Sequence, residues 1–228
     1  MKELTILMPC LNEEGTVGIC VEKARRFLVV NNIEGEVIVA DNNSTDGSAE
    51  IARKAGARVV LVNERGYGNA IMGGIKEAHG KYIIMGDADE SYDFSTIMPF
   101  LDGLRAGHDL VMGNRFKGGI KSGAMPFSHR YIGNPVLTGL GNLLYGNVCG
   151  DWHCGLRGFQ KESILKLNLK APGMEFASEM VVKARHEDFN IAEVPVILLP
   201  SGRNHRSHVR SWRDGLRHTH LLINLYLN

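Results

Sequence analysis

Between Leu4 and Met112 the chain repeats one unit: a short apolar run with almost no polar alternation, followed by a stretch with helical spacing. The runs are Leu4-Thr5-Ile6-Leu7-Met8, Val37-Ile38-Val39-Ala40, Val59-Val60-Leu61-Val62, Tyr82-Ile83-Ile84-Met85 and Leu110-Val111-Met112. After the first come Val17, Cys20, Val21, Ala24 and Leu28 at helix spacing; after the next three come 48–55, 68–78 and 94–104. A strand that is apolar on both faces must be covered on both faces. Repeated β-α alternation therefore predicts an α/β fold, Rossmann-like, with a mostly parallel sheet and helices on both sides.

Beyond Asn114 the repetition stops. A Gly-rich connection over 117–124, a helix over 133–145, a compact polar segment over 149–159 and a helix over 176–186 are expected. The apolar run over 191–199 contains Pro195, which disfavours a central strand position. Neither a linker nor a low-complexity tract separates the halves, and 228 residues suffice for one substantial core, so a single domain spanning 1–228 is expected. Lys and Arg total 26 against 25 Asp and Glu, a balance that offers no footprint for nucleic acid. Four cysteines are too few for a disulfide scaffold, and the first strand follows the N-terminus without a signal-peptide pattern, so a reducing, cytoplasmic setting is expected. Cys149, Asp151, His153 and Cys154 lie close in sequence, but no second cluster completes a zinc site.

Open parallel sheets bind ligands beyond the carboxyl ends of their strands, and those ends are unusually polar here. The first runs into Pro9-Cys10-Leu11-Asn12-Glu13-Glu14, the second into Asp41-Asn42-Asn43-Ser44-Thr45-Asp46-Gly47, and the fourth into Asp87-Ala88-Asp89-Glu90. Turn and capping chemistry accounts for Ser44, Thr45 and Asp46. It accounts less well for carboxylates at three strand ends along one edge. Asp87 and Asp89, two apart on an extended segment, project to one side and suit a hard cation, Mg2+ or Mn2+, whose other positions stay open to diphosphate oxygens and water. Gly66, Gly68 and Gly73 do not have dinucleotide-fingerprint spacing and follow the third strand rather than the first, which argues against a dehydrogenase. They suit a tight turn, with Arg65 reaching toward phosphate.

Taken together, Pro9-x-x-Asn12-Glu13, Asp41-x-x-Ser44-x-Asp46-Gly47, Arg65-Gly66-x-Gly68-x-Ala70, Asp87-Ala88-Asp89 and Gly113-Asn114-Arg115-Phe116 resemble the family 2 glycosyltransferases of GT-A fold. The subgroup most similar is the polyprenyl-phosphate (dolichol-phosphate) mannosyl- and glucosyltransferases. The resemblance implies a nucleotide-sugar-binding half, 1–114, and an acceptor-side half, 115–228. It implies that Pro9, Asn12, Glu13, Asp41, Arg65, Gly68 and Ala88 serve the nucleotide, with Asp87 and Asp89 holding metal and diphosphate. On the acceptor side it implies Arg115, Arg130 and Asn134, then Arg157 after the loop containing Asp151, and Glu179 of a Glu-Met pair. Asp89, Asp151, Arg115 and Arg130 are the expected catalytic residues. Ser91 stands where the dolichol-phosphate-mannose enzymes carry a glutamine-type ligand.

The implied activity is inverting transfer of glucose or mannose from UDP-glucose or GDP-mannose to polyprenyl phosphate. A lipid phosphate arrives as an anion and can be positioned by Arg115 and Arg130 without a general base. A soluble hydroxyl acceptor would need one, with Asp151 and Glu179 the candidates; a non-catalytic binding module is the third reading. The C-terminal stretch sets His205, Arg206, His208, Arg210, Arg213, Arg217, His218 and His220 beside Leu216, Leu221, Leu222, Ile223, Leu225, Tyr226 and Leu227. That mixture suits a helix lying on an anionic membrane surface, peripheral to or anchored at its cytoplasmic face. Its apolar run is far shorter than the roughly 20 residues of a membrane span.

Overall fold

A computed structural model describes residues 2–203 and 211–227, and the alternation resolves into a seven-stranded sheet with helices on both faces. In chain order the elements are β1 (Leu4–Cys10), α1 (Val17–Val30), β2 (Gly35–Asp41), α2 (Ser48–Lys54), β3 (Arg58–Leu61), α3 (Tyr67–Glu77), β4 (Tyr82–Met85), α4 (Met98–Arg105) and β5 (Leu110–Asn114). They continue as α5 (Arg115–Gly118), α6 (Asn134–Tyr145), β6 (Arg157–Gln160), α7 (Lys161–Lys166), α8 (Phe176–His186), β7 (Ile191–Pro195) and α9 (Ser211–Leu227). Sheet order is β3-β2-β1-β4-β6-β5-β7.

The period-2 geometry of a strand explains why the apolar runs are unbroken. Leu4, Ile6 and Met8 of β1 and Val37 and Val39 of β2 pack with Val17, Cys20, Phe27, Phe100 and Leu104 of α1 and α4. The intervening Leu7, Ile38 and Ala40 pack into the opposite layer, with Ala70, Ile71 and Ile75 of α3 and Met180 and Val181 of α8. β1 lies between β2 and β4, parallel to both, so the chain leaves its central strands in opposite directions and opens a crevice at their carboxyl ends.

Two elements differ from the sequence expectation. The helix expected over 94–104 is a 3-10 turn, Phe94–Thr96, followed by α4, with Pro99 in the first helical turn where its missing N–H costs nothing. The polar segment over 149–159 hides a strand: β6 inserts antiparallel to both β4 and β5. Four residues beginning Arg157-Gly158 carry too little apolar pattern to announce it. Pro195 does lie on an edge strand, β7, as its lack of a donor requires.

Helix α9 turns Asp214, His218 and Leu222 inward and leaves Trp212, Leu216, Ile223, Tyr226 and Leu227 exposed. His205, Arg206, His208 and Arg210 lie outside the described residues. No described helix is long and apolar enough to cross a membrane. The docking of α9 is partly polar: Tyr145 Oη donates to Leu222 O at 2.6 Å, and Ser178 Oγ lies 2.7 Å from His218 Nδ1 and 3.2 Å from His153 Nε2. Burial pushes His218 from 6.5 down to about 4 and holds His153 well below its usual value, with the positive potential of Arg157 adding to both. Unfolded chain takes up these protons near pH 6.5 while the folded chain does not. Stability from the neutral pair is therefore complete above pH 6.5 and declines as pH falls toward 4. Urea midpoints measured at pH 7, 6 and 5 should fall more steeply for the wild type than for His218→Gln.

Candidate active site

The crevice widens into a cleft of about 1630 Å³, lined by Pro9, Glu13, Asp87, Asp89, Arg115 and residues of the later half. It exceeds the roughly 300–1,000 Å³ of a drug-sized pocket, so two reactants fit side by side.

At its carboxylate end the turns after β1, β2 and β4 interlock. Asn12 takes a left-handed φ of 57°, which Asn tolerates, donates its N–H to Ser44 Oγ and accepts from Thr45 N through Oδ1. Asn42 donates to Val62 O and Glu64 O and accepts from Gly66 N, fixing the turn that enters α3. Thr16 Oγ1 donates to Ala88 O at 2.7 Å, tying the start of α1 to the Asp87-Ala88-Asp89 segment. Asp87 Oδ1 accepts from Tyr67 Oη at 3.2 Å. Asp89 Oδ1 accepts from both N and Oγ of Ser91, and its Oδ2 pairs with Arg203 Nη2 at 2.6 Å. Arg203 also reaches Glu13 Oε1 at 3.0 Å. Glu90 turns away, with φ 64° and an ion pair to Lys23 at 3.1 Å.

These oxygens fit a hard divalent cation. Burial, and next the like charge of Asp89, raise the Asp87 carboxyl from 3.8 to about 6, the signature of a carboxylate pair short of positive charge. A guanidinium already bonds Asp89 as a stand-in cation. Among the described residues no group of three or more His, Cys, Asp or Glu side chains is disposed to hold a metal, so a cation here would draw its other ligands from diphosphate and water. Among the described residues Cys149, Asp151, His153 and Cys154 are not gathered into a metal-ligand group, and Asp151 is bound to Arg115.

At the far end β5 runs into α5, whose first residue is Arg115. The Asp151 carboxylate is fully buried and grips it: Nε to Oδ2 at 2.7 Å, Nη2 to Oδ1 at 2.7 Å, and the Arg115 N–H to Oδ2 at 3.1 Å. None of these bonds uses Nη1, and Arg115 lines the cleft. The 123–137 and 172–177 segments and α9 add Met125, Pro126, Ile132, Leu137, Met174 and Trp212 to the lining, together with His129, Arg213, Asp214 and Arg217.

Residues 5–167 match the description "Glycosyl transferase family 2". The chain belongs to that family. A low-salt glycan biosynthesis hexosyltransferase of Haloferax volcanii is 40% identical over 221 residues, 96% of this chain and 53% of that protein, so the chain spans about half the relative's length. A dolichyl-phosphate hexose transferase of the same organism is 29% identical over 194 residues, 85% of this chain and 82% of its own. Among solved structures, glucosyl-3-phosphoglycerate synthase of Mycobacterium tuberculosis, crystallised with Mg2+ and UDP, superposes with a TM-score of 0.71 at 22% identity, covering 99% of this chain and 78% of that one. The superposition establishes a shared GT-A fold.

In this family 2 domain the cleft gathers Pro9, Glu13, Arg65, Asp87, Ala88, Asp89, Arg115, Asn134 and Arg157 of the residues singled out from sequence. Others do different work. Asp41 is buried behind the turn; one oxygen accepts from Ser44 N and Oδ1 has no partner. Asn12 braces the 44–45 turn, and Gly68 lets Ala171 and Phe176 approach where a Cβ would collide. Arg130 stacks on Tyr131, 5.2 Å from its ring centroid, and is not among the cleft-lining residues. Arg157 lines the cleft but spends Nε, Nη1 and Nη2 on the carbonyls of Cys154, Ala177 and Trp152, which makes it an organiser of the 151–157 loop rather than an acceptor ligand. Glu179 accepts from Lys170 N and Ala171 N and pairs with Lys183, away from the cleft. Asp151 positions Arg115 and is not a free base. Sequence reasoning missed Tyr67, Trp212 and Arg203 as cleft residues; Arg203 sits in a Pro-Ser-Gly-Arg turn that no pattern links to Asp89.

Removing one partner of a buried ion pair strands the other charge, at a cost of about 3–5 kcal/mol. Asp151→Ala should therefore lower the melting temperature by roughly 10 °C or more, the shift expected for a domain of this size. The double variant Arg115→Met/Asp151→Leu should recover much of that loss in calorimetry, because no unpaired charge remains.

Proposed function

We propose that this domain is an inverting, metal-dependent hexosyltransferase that moves glucose or mannose from UDP-glucose or GDP-mannose to polyprenyl phosphate. The observation that carries this reading is the continuity of the cleft. One cavity joins Asp87 and Asp89 to Arg115 and then to walls of Met125, Ile132, Leu137 and Trp212. Phe127, Tyr131, Val136 and Leu216 are exposed apolar residues on neighbouring segments, and the lining residues Ile132 and Trp212 are themselves exposed, Trp212 at 89%. A phosphate carried on a hydrocarbon chain needs a cation inside and apolar surface at the entrance. A small hydroxyl acceptor does not need the apolar entrance, and it needs a base. The two carboxylates that the sequence offers as bases for it are engaged, Asp151 by Arg115 and Glu179 by main-chain amides and Lys183, while Asp214 of α9 lines the cleft. The relationship to a dolichyl-phosphate hexose transferase supports the same choice.

In the proposed reaction a phosphate oxygen of the acceptor attacks the anomeric carbon as the bond from that carbon to the diphosphate oxygen breaks, and the electron pair leaves with the nucleoside diphosphate. No covalent enzyme intermediate forms. Mg2+ or Mn2+ held by Asp87 and Asp89 would supply charge for the departing diphosphate. Arg115, held in place by Asp151, orients the acceptor phosphate. Pro9 and Glu13, which line the cleft, would flank the nucleoside, and Asp41, buried behind the 44–45 turn, would support that turn from below. The apolar rim would rest on a membrane surface, on its cytoplasmic face.

The test is transfer from a panel of sugar nucleotides to polyprenyl phosphate in detergent, with and without chelator. Asp89→Asn should lower transfer by roughly 10²–10³-fold, the scale of losing one preorganised charge-stabilising group. Arg115→Lys, which keeps the charge and loses the fork, should cost about one to two decades in transfer while calorimetric nucleotide affinity stays near wild type. Ready glycosylation of glycerate or a small sugar, with polyprenyl phosphate ignored, would overturn the lipid acceptor.

A further inference from the structure

The segment that leaves β7 runs back across the carboxylate end of the cleft. It is laced to the turn after β4 by two main-chain hydrogen bonds, Leu199 N to Ser91 O at 3.0 Å and Gly202 N to Asp89 O at 2.9 Å, and to the 119–121 loop by Leu198 N to Gly119 O at 2.9 Å. This strap delivers Arg203 onto the metal-binding carboxylates. Its Nη2 lies 2.6 Å from Asp89 Oδ2 and 3.0 Å from Glu13 Oε1, its side chain is 15% exposed, and its Nε is buried without a hydrogen-bond partner.

The oxygens of Asp89 are not equivalent. Oδ1 accepts from Ser91 N at 3.0 Å and from Ser91 Oγ at 2.5 Å, which uses both of its lone pairs. Oδ2 is the oxygen left for a cation, and Arg203 already has it. A divalent ion and a guanidinium cannot share that oxygen at these distances, because two cations that close repel in a partly desolvated site. Arg203 thus supplies to Asp89 the positive charge that an ion would supply in its place.

We propose that Arg203 is a tethered cation closing the divalent-ion seat at Asp89, so that metal enters only by displacing it. This rests on the reading that Asp87 and Asp89 hold metal. The consequence is an ordering effect: bare metal competes with a built-in rival, whereas metal arriving with a nucleoside diphosphate brings negative charge that lowers the cost of freeing the guanidinium.

The experiment is Mn2+ binding without nucleotide, followed by loss of the free-ion electron paramagnetic resonance signal, for wild type, Arg203→Gln, Arg203→Lys and Arg203→Gln/Asp89→Asn. Arg203→Gln should bind bare Mn2+ about ten- to a hundredfold more tightly, the ratio expected on removing a competing charge-assisted bond. Arg203→Lys keeps the rival charge and should stay near wild type, and the double variant should lose the gain. Unchanged or weaker Mn2+ binding by Arg203→Gln, with Arg203→Lys folded and equally unaffected, would overturn the proposal. So would a gain that survives Asp89→Asn. Failure of wild type and Arg203→Gln to bind Mn2+ even with UDP present would sink the metal reading itself, and the gate with it.

Discussion

The buried pair of Arg115 and Asp151 ties the end of β5 to the loop that leads into β6. Arg115 begins the helix that follows β5, and Asp151 begins the loop that leads into β6. Both side chains are almost wholly removed from water, and the geometry is a two-bond fork with a third bond from the main chain. A pair of this kind contributes little net stability against an apolar substitute, yet it tolerates almost no displacement. Its role is geometric, fixing the part of the cleft wall that Arg115 supplies.

Several charges at and around the cleft are held by partners within the chain. Asp151 is spent on Arg115, and Asp89 on Ser91 and Arg203. Asp87 keeps only a long bond from Tyr67, and burial beside Asp89 leaves it easy to protonate. Such a site is poised for a cationic partner at one end and an anionic one at the other.

The sequence told much of this because burial on both faces leaves a mark. Unbroken apolar runs announced β1 to β5, and carboxylates at their ends announced the cleft. Side-chain destination left no such mark. Arg115 and Arg157 look alike in sequence, but only one has a guanidinium edge outside its structural bonds. Arg130 and Glu179 carry the right charge on the right segments and turn elsewhere, because Tyr131 and the 170–171 amides offer closer partners. Arg203 was illegible because it comes to Asp89 through main-chain bonds of a strap, which any residue types can make.

Strand β6 carries a further implication for the order of assembly. It is the antiparallel seam through which β5 and β7 join the sheet, since β5 pairs with β6 and β7 and touches β4 only across it. During synthesis β5 therefore emerges before the strand that seats it. The edge of β4 and the apolar residues of β5 stay uncovered until Arg157–Gln160 leaves the ribosome, an interval in which unpaired strand edges invite wrong partners. A nascent chain stopped at Asn114 could pair only four of the seven strands, β3-β2-β1-β4, and would leave β5 without its neighbours.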